Sequence, residues 1–266
     1  MEASTSVVRT VELNDGTRMP LLGFGTWKSS SSAAVCQSAV EAAIAAGYRH
    51  IDTAYSYRNE VEISKALCSK MQQGIIRRQD MYVVSKLWST HHATHDIPLC
   101  LNKSLSDLQL DYLDLYLMHF PIGLKVGLQF TLTLGMEALQ ASGKVKSIGV
   151  SNFNVLQLER LLSVAKVPPA VNQVELHPYL VQSDLVEFCK SRNITLTAYS
   201  PLGSPGRPKE FHRGDTDPEK LLEDPVVGDV AKKHRRSAAE VPCAAGYCSD
   251  PQKCETQSHS GKHKDL

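Results

Sequence analysis

From residue 49 to residue 199 the sequence repeats one rhythm. A short apolar run ends on a polar residue, an amphipathic stretch follows, and a turn returns the chain to the next apolar run. The apolar runs are Arg49–Thr53, Met81–Ser85, Leu113–Met118, Val145–Val150, Ala170–Leu176 and Ile194–Ala198. Helical spacing falls between them, over residues 60–72, 97–108, 133–141, 155–165 and 183–192, with Gly74 and Gly143 placed to end two of these helices. Strictly alternating strand and helix imply a parallel sheet with right-handed crossovers. The strands are apolar almost throughout, as strands covered on both faces must be. In a chain of 266 residues this predicts one α/β domain. A (β/α)8 TIM barrel is the first candidate and a doubly wound open sheet the second.

The flanks are simpler. Residues 8–19 alternate around Asn14-Asp15-Gly16, which reads as a tight N-terminal β-hairpin. Gly23-Phe24-Gly25 is only a partial dinucleotide fingerprint, lacking the third glycine and the βαβ setting. Serines 29–32 precede a helix expected over 33–46, which Gly47 would end. Asp224-Pro225 has the form of a cap and first-turn proline opening a helix to about His234.

Composition excludes several classes. A net charge of +1 leaves no electrostatic footprint for nucleic acid or anionic membrane. No apolar run is long enough to cross a bilayer, and residues 1–8 lack the basic and apolar regions of a signal peptide. Of seven cysteines, Cys36, Cys68, Cys100 and Cys189 lie in apolar helical patterns, which suits reduced thiols and a cytoplasmic location. Cys243, Cys248, Cys254, His259 and His263 match no standard zinc spacing, so no metal is expected. Their polar surroundings predict a divergent, disordered tail over 242–266, leaving 1–241 as the folded domain.

The polar residues cluster where a barrel would build a site. Asp52, Lys86, His119, Ser151, Asn152, Tyr199 and Ser200 fall at or just after the C-terminal ends of successive strands, with Gln173 inside the fifth. Tyr57 follows Asp52 by five residues. A phenol with a model-peptide pKa of about 10 needs a neighbouring cation to give up its proton readily. Lys86 would supply that charge, Asp52 would orient Lys86, and His119 would hydrogen-bond an incoming oxygen. A positioned phenol of this kind suits protonation of a carbonyl oxygen as hydride arrives at the carbon, most simply from a nicotinamide. Tyr199 could stack on a flat ring, while Ser151, Asn152 and Gln173 could bind a carboxamide. The stretch Pro201-Leu202-Gly203-Ser204-Pro205 could line a pyrophosphate, and Trp27, Trp88 and Phe120 an apolar substrate mouth. The plainer reading of each residue singly is a core histidine, a solvated lysine, core tryptophans and a helix-opening turn.

At this point the sequence resembles the aldo-keto reductases, in particular the vertebrate aldose and aldehyde reductase branch. The resemblance is carried by GFGTWK (23–28), AGYRHIDTAYSYRNEVEIS (46–64), VVSKLWSTHH (83–92), LDYLDLYLMHFP (110–121), GKVKSIGVSNFN (143–154), VNQVELHPYL (171–180) and ITLTAYSPLGSP (194–205). It implies a (β/α)8 barrel, NADPH as hydride donor, and reduction of aldehydes or ketones to alcohols by a chain that is usually monomeric. By position it places the catalytic group on Asp52, Tyr57, Lys86 and His119. Cofactor contacts fall on Gly25, Thr26, Trp27, Ser151, Asn152, Gln173, Tyr199, Ser200, Leu202 and Ser204. Substrate contacts fall on Trp27, Tyr57, Trp88, His119 and Phe120.

The chain departs from the family pattern in two places. Pro121 reaches Met136 through a short apolar stretch where the family carries a long loop, and Phe120 stands where a tryptophan is usual, losing an indole N–H. After Val241 the family's last strands and its basic 2′-phosphate grip are replaced by the polar tail. Six of eight strands are then expected, a truncated variant with open edges at the first and sixth. Exposed edges of that kind favour self-association, and a weakly catalytic or non-enzymatic role is the alternative function.

Overall fold

The computed structural model describes residues 8–27, 33–123, 129–204 and 221–241. The expected tail, the serines 29–32 and Pro205 lie outside them, as does part of the stretch after Pro121. The chain divides into two compact units, Met1–Asn172 with Ser191–Thr195, and Gln173–Lys190 with Leu196–Leu266.

The first unit opens with the predicted hairpin, β1 (Thr10–Glu12) and β2 (Arg18–Pro20), in register Val11↔Met19. Gly16 takes φ +82° at its tip, a conformation glycine adopts without a Cβ penalty. The Asp15 carboxylate accepts from the Thr17 amide at 3.0 Å and closes the turn. Val11, Leu13 and Met19 share a buried cluster with Tyr82, Val84, Leu115, Leu117, Ala170 and Val171. Burying each large apolar side chain of this set contributes about 1.5–3 kcal/mol.

The strands and helices then alternate as expected: β3 (Phe24–Gly25), α1 (Ala33–Ala45), β4 (His50–Asp52), α2 (Glu60–Gln72), β5 (Tyr82–Leu87), α3 (Ile97–Leu108), β6 (Leu113–Met118), α4 (Gln129–Ala141), β7 (Val145–Ser151) and α5 (Val155–Leu162). β8 (Val171–Glu175), α6 (Ser183–Ser191), β9 (Thr195–Tyr199) and α7 (Pro225–His234) complete the order. The larger sheet runs β3-β4-β5-β6-β7-β8-β9, and the pairings from β3 to β7 are parallel.

Element ends shift by one to three residues from the sequence reading, and two differences are larger. The sheet has seven strands among the described residues rather than six, because Phe24 and Gly25 pair with Ile51 and Asp52. β4 is therefore not the free edge that was expected. α4 starts at Gln129, four residues before the predicted start.

Local chemistry explains the elements that position the site. α3 carries Pro98 in its first turn and buries Ile97, Cys100, Leu101, Leu105 and Leu108 along one face. α5 begins at a capping box: the Asn154 side chain accepts from the Gln157 amide, and the Gln157 side chain accepts from the Asn154 amide. Gly149 in β7 has no room for a side chain, since a Cβ there would lie 2.6 Å from the Val171 carbonyl oxygen.

In the second unit the Leu176 amide donates to the Tyr199 carbonyl at 3.4 Å. α7 opens as predicted, with the Asp224 carboxylate accepting from the Val226 and Val227 amides at 2.8 and 3.2 Å. Among the described residues no helix is long and apolar enough to cross a membrane, and no cluster of His, Cys, Asp or Glu forms a metal site.

Candidate active site

Three adjacent strands deliver the central residues. Asp52 ends β4, Lys86 is the penultimate residue of β5, and His119 directly follows β6. Tyr57 closes the 3-10 turn Tyr55–Tyr57 after β4, its amide bonded to the Ala54 carbonyl at 2.9 Å. Arg58 then turns the chain out with φ 55°.

Lys86 is the hub. Its side chain is only 1% exposed. The Nζ group donates to Asp52 Oδ1 at 2.6 Å, to the Thr53 carbonyl at 2.8 Å and to the Tyr57 hydroxyl oxygen at 3.3 Å. An ammonium has three donors, and all three end on acceptors. Burial pulls the Lys86 pKa down, but the Asp52 charge, Tyr57 and these hydrogen bonds outweigh it, and the net shift is upward. Lys86 is a fixed cation at neutral pH.

The Tyr57 oxygen accepts from that cation, so its own proton points elsewhere. The expectation that Lys86 brings the phenol's pKa below its ordinary value is not met. Lys86 does act downward, but burial acts upward and more strongly, and the Tyr57 pKa is raised. The group is a fully protonated phenol at neutral pH.

His119 is 8% exposed. Burial, and then the positive charge of Lys86, hold its pKa at about 3, so the imidazole is neutral. Its ring lies parallel on Phe120, with centroids 4.9 Å apart. Trp88 and Tyr57 meet it edge-on at 5.3 and 5.7 Å. Trp88 also meets Phe120 edge-on at 6.0 Å. Tyr57 and two of the three residues expected at the apolar mouth, Trp88 and Phe120, thus surround the histidine. Trp27 and Phe120 are 43% and 37% exposed.

Ser151 ends β7 and is buried. Asn152 follows with φ 63°, and its Nδ2 donates to the His119 carbonyl at 3.0 Å and to Ser151 Oγ at 3.1 Å. Gly25 pairs with Asp52, and a Cβ on it would meet nothing within 4 Å. Thr26 is fully buried, and its amide and hydroxyl both donate to the Asp52 carbonyl at 3.0 Å. In the second unit Gln173 is buried in β8 and Tyr199 ends β9. Ser200, Gly203 and Ser204 all have positive φ in a turn closed by the Gly203 amide on the Ser200 carbonyl at 3.0 Å; Leu202 lies within it.

Two residues were given no role in the sequence reading. Asn59 is buried and donates to the Thr26 carbonyl at 2.8 Å while accepting from Thr53 Oγ1 at 3.3 Å, which ties the Asp52 turn to β3. Ser56 brings its hydroxyl 3.4 Å from His119 Nδ1. The one signal in the sequence was a polar residue between two tyrosines in Tyr55-Ser56-Tyr57.

Comparison with known proteins identifies the family. Residues 21–244 match the Aldo/keto reductase family. An aldo/keto reductase of Synechocystis is 46% identical over 245 residues, 86% of this chain and 74% of that protein. Human aldo-keto reductase family 1 member A1 is 44% identical over 249 residues, 87% and 75% of the two chains, and the zebrafish member A1-A is 46% identical over 250 residues, with the same coverage. The crystal structure of a Bombyx mori aldo-keto reductase in complex with NADP aligns with a TM-score of 0.82 at 33% identity, over 93% of this chain and 85% of that one. The chain belongs to the aldo-keto reductase family, and its α/β fold is of that family's barrel class.

The residues present fit a nicotinamide at the reacting end. Asn152 has its Nδ2 fixed by two acceptors, which holds its side-chain amide in one orientation beside His119. Beside Asp52, the bare Gly25 leaves open space that packing does not require.

Proposed function

We propose that this chain is an NADPH-dependent carbonyl reductase that converts a small aldehyde or ketone to an alcohol, with Tyr57 as proton donor. The observation that carries the reading is the Lys86 ammonium bonded at once to Asp52, the Thr53 carbonyl and the Tyr57 oxygen. Tyr57 keeps its proton at neutral pH and passes it from Oη to the carbonyl oxygen. Lys86, held charged by Asp52, stabilises the phenolate that this transfer leaves. The neutral His119 imidazole aligns the carbonyl oxygen with that phenol. Trp27, Trp88 and Phe120 give the substrate an apolar wall and exclude water.

Gly25, Thr26, Trp27, Ser151, Asn152, Gln173, Tyr199, Ser200, Leu202 and Ser204 would hold NADPH, the carboxamide and hydroxyl groups at its nicotinamide end. When bound, NADPH supplies hydride to the carbonyl carbon. We place the activity in a folded domain of residues 1–241, in a cytoplasmic monomer.

The test is NADPH oxidation by the purified chain against a panel of aldehydes, beside a Tyr57→Phe variant. The variant should lose turnover while NADPH still quenches the Trp27 and Trp88 fluorescence with the wild-type midpoint. Loss of NADPH binding in the variant would contradict the role given to Tyr57.

A further inference from the structure

The neutral imidazole of His119 has one N–H and one lone pair, and which nitrogen carries which decides what the ring offers a substrate. A carbonyl oxygen can only accept. The ring can help it only by presenting an N–H, which leaves its other nitrogen as a lone pair in need of a donor.

We infer that Ser56 is a positioning residue for His119: its hydroxyl donates to Nδ1 and so fixes the tautomer that carries the proton on Nε2. The inference rests on the carbonyl-reductase reading for its purpose, but its physical content is the proton's location on the ring.

Four observations carry it. Ser56 Oγ lies 3.4 Å from His119 Nδ1, a length that suits a site that tightens when substrate arrives. The 3-10 turn that presents Tyr57 also presents Ser56, so the proton donor and the group that orients the histidine move as one piece. The imidazole cannot rotate to another partner. Phe120 lies flat on it, and Trp88 and Tyr57 meet it edge-on. The backbone of His119 is also fixed, its amide on the Leu87 carbonyl at 3.1 Å and its carbonyl on Asn152 Nδ2 at 3.0 Å. With the ring plane fixed and Nδ1 turned to Ser56, Nε2 is the nitrogen left for a substrate oxygen. His119 stays neutral through the physiological range, its pKa held at about 3, so the tautomer is the only protonic variable the ring has there.

The discriminating pair is Ser56→Thr against Ser56→Val, which are nearly the same shape and differ by the hydroxyl. Nitrogen-15 NMR of the imidazoles is recorded on the full chain, with His119→Asn assigning the signals. Wild type and Ser56→Thr should show protonated Nε2 and a hydrogen-bonded lone pair on Nδ1. Ser56→Val should show the two tautomers mixed. In turnover, Ser56→Val should lose about 3- to 10-fold in kcat, the worth of one neutral hydrogen bond, with NADPH binding unchanged and Ser56→Thr restoring the rate. A proton on Nδ1 in wild type would overturn the inference. So would an unchanged nitrogen pattern in Ser56→Val. The expected nitrogen pattern in a chain with no carbonyl reduction at all would uphold the Ser56 contact and sink the reductase reading instead.

Discussion

Strands β5 and β6 carry at each end a charge cluster centred on a buried residue. At the C-terminal ends, with β4, the cluster is centred on a cation, Lys86, whose three donors reach a carboxylate, a carbonyl and a phenol. At the N-terminal ends, with β7, it is centred on an anion, Asp114. That carboxylate accepts from Arg78 at 2.8 Å, from Lys146 at 2.8 Å and from the Val83 amide at 3.0 Å. Arg78 and Lys146 both lie over the Tyr112 ring, 3.9 and 4.3 Å from its centroid. Both clusters consist of salt bridges within hydrogen-bond distance, yet they do different things. Around Asp114 three donors converge on one carboxylate, and no acid proton lies between them to exchange. Around Lys86 the Tyr57 oxygen accepts and keeps a proton that can leave. A carboxylate held by three donors ties β5, β6 and β7 together, whereas a cation that bonds a phenol suits the proton transfer proposed above.

The largest effect expected on this contrast is at its reactive end. Lys86→Met should lower kcat for carbonyl reduction by about 10³-fold, within the range for general acid catalysis. A variant that stayed within tenfold of wild type would erase the distinction between the clusters. Acid should expose the same end next. His119 and His92 are buried, with pKa values of about 3 and about 4 against an unfolded value near 6.5. Below pH 6.5 the unfolded chain takes up protons that these folded imidazoles refuse, so stability falls as pH falls through 6.5 toward the folded values. From pH 7 to pH 5 the two should together remove about 4 kcal/mol, read by urea denaturation at each pH. An unchanged urea midpoint would mean that the imidazoles are not held neutral.

The structural end should answer differently. Asp114→Asn should cost about 2–3 kcal/mol of stability and leave kcat per folded molecule unchanged. A fall in kcat with no loss of stability would make that end part of the chemistry. The smallest effect is expected between the clusters, at Gly149→Ala. Its Cβ would meet the Val171 carbonyl at 2.6 Å and Leu117 Cδ2 at 2.8 Å, an overpacking cost of about 1–3 kcal/mol with cofactor affinity retained. Thermal unfolding checks it.

Much of this was legible in the sequence. The rhythm of apolar runs located six strands, because strands buried on both faces must be apolar. The polar residues that break those runs located Asp52, Lys86, His119 and Ser151 at strand ends. β3 escaped because two residues, one of them glycine, carry no periodicity. Its existence depends on pairing with β4, a partner far along the chain. The early start of α4 escaped because its first turn has no cap signal. The direction of the Tyr57 shift was misread because the Lys86 charge can be inferred from a sequence, whereas the burial that outweighs it cannot. Thr26 stood out only through its place in a motif, and its hydrogen bonds to the Asp52 carbonyl are visible only in the fold. Ser56 and Asn59 act through contacts across strands that sequence spacing does not encode.

The full commitment of Lys86 has a consequence for chemical self-protection. Aldehydes condense with free amines, so a reductase that gathers aldehydes beside a lysine runs the risk of being trapped by its own substrate as an imine. That condensation needs a nitrogen lone pair. Lys86 has none to offer while its raised pKa keeps it an ammonium and all three N–H bonds point at protein oxygens. In the proposed reaction, the geometry that would steady the phenolate of Tyr57 thus also leaves the neighbouring amine inert toward the aldehyde.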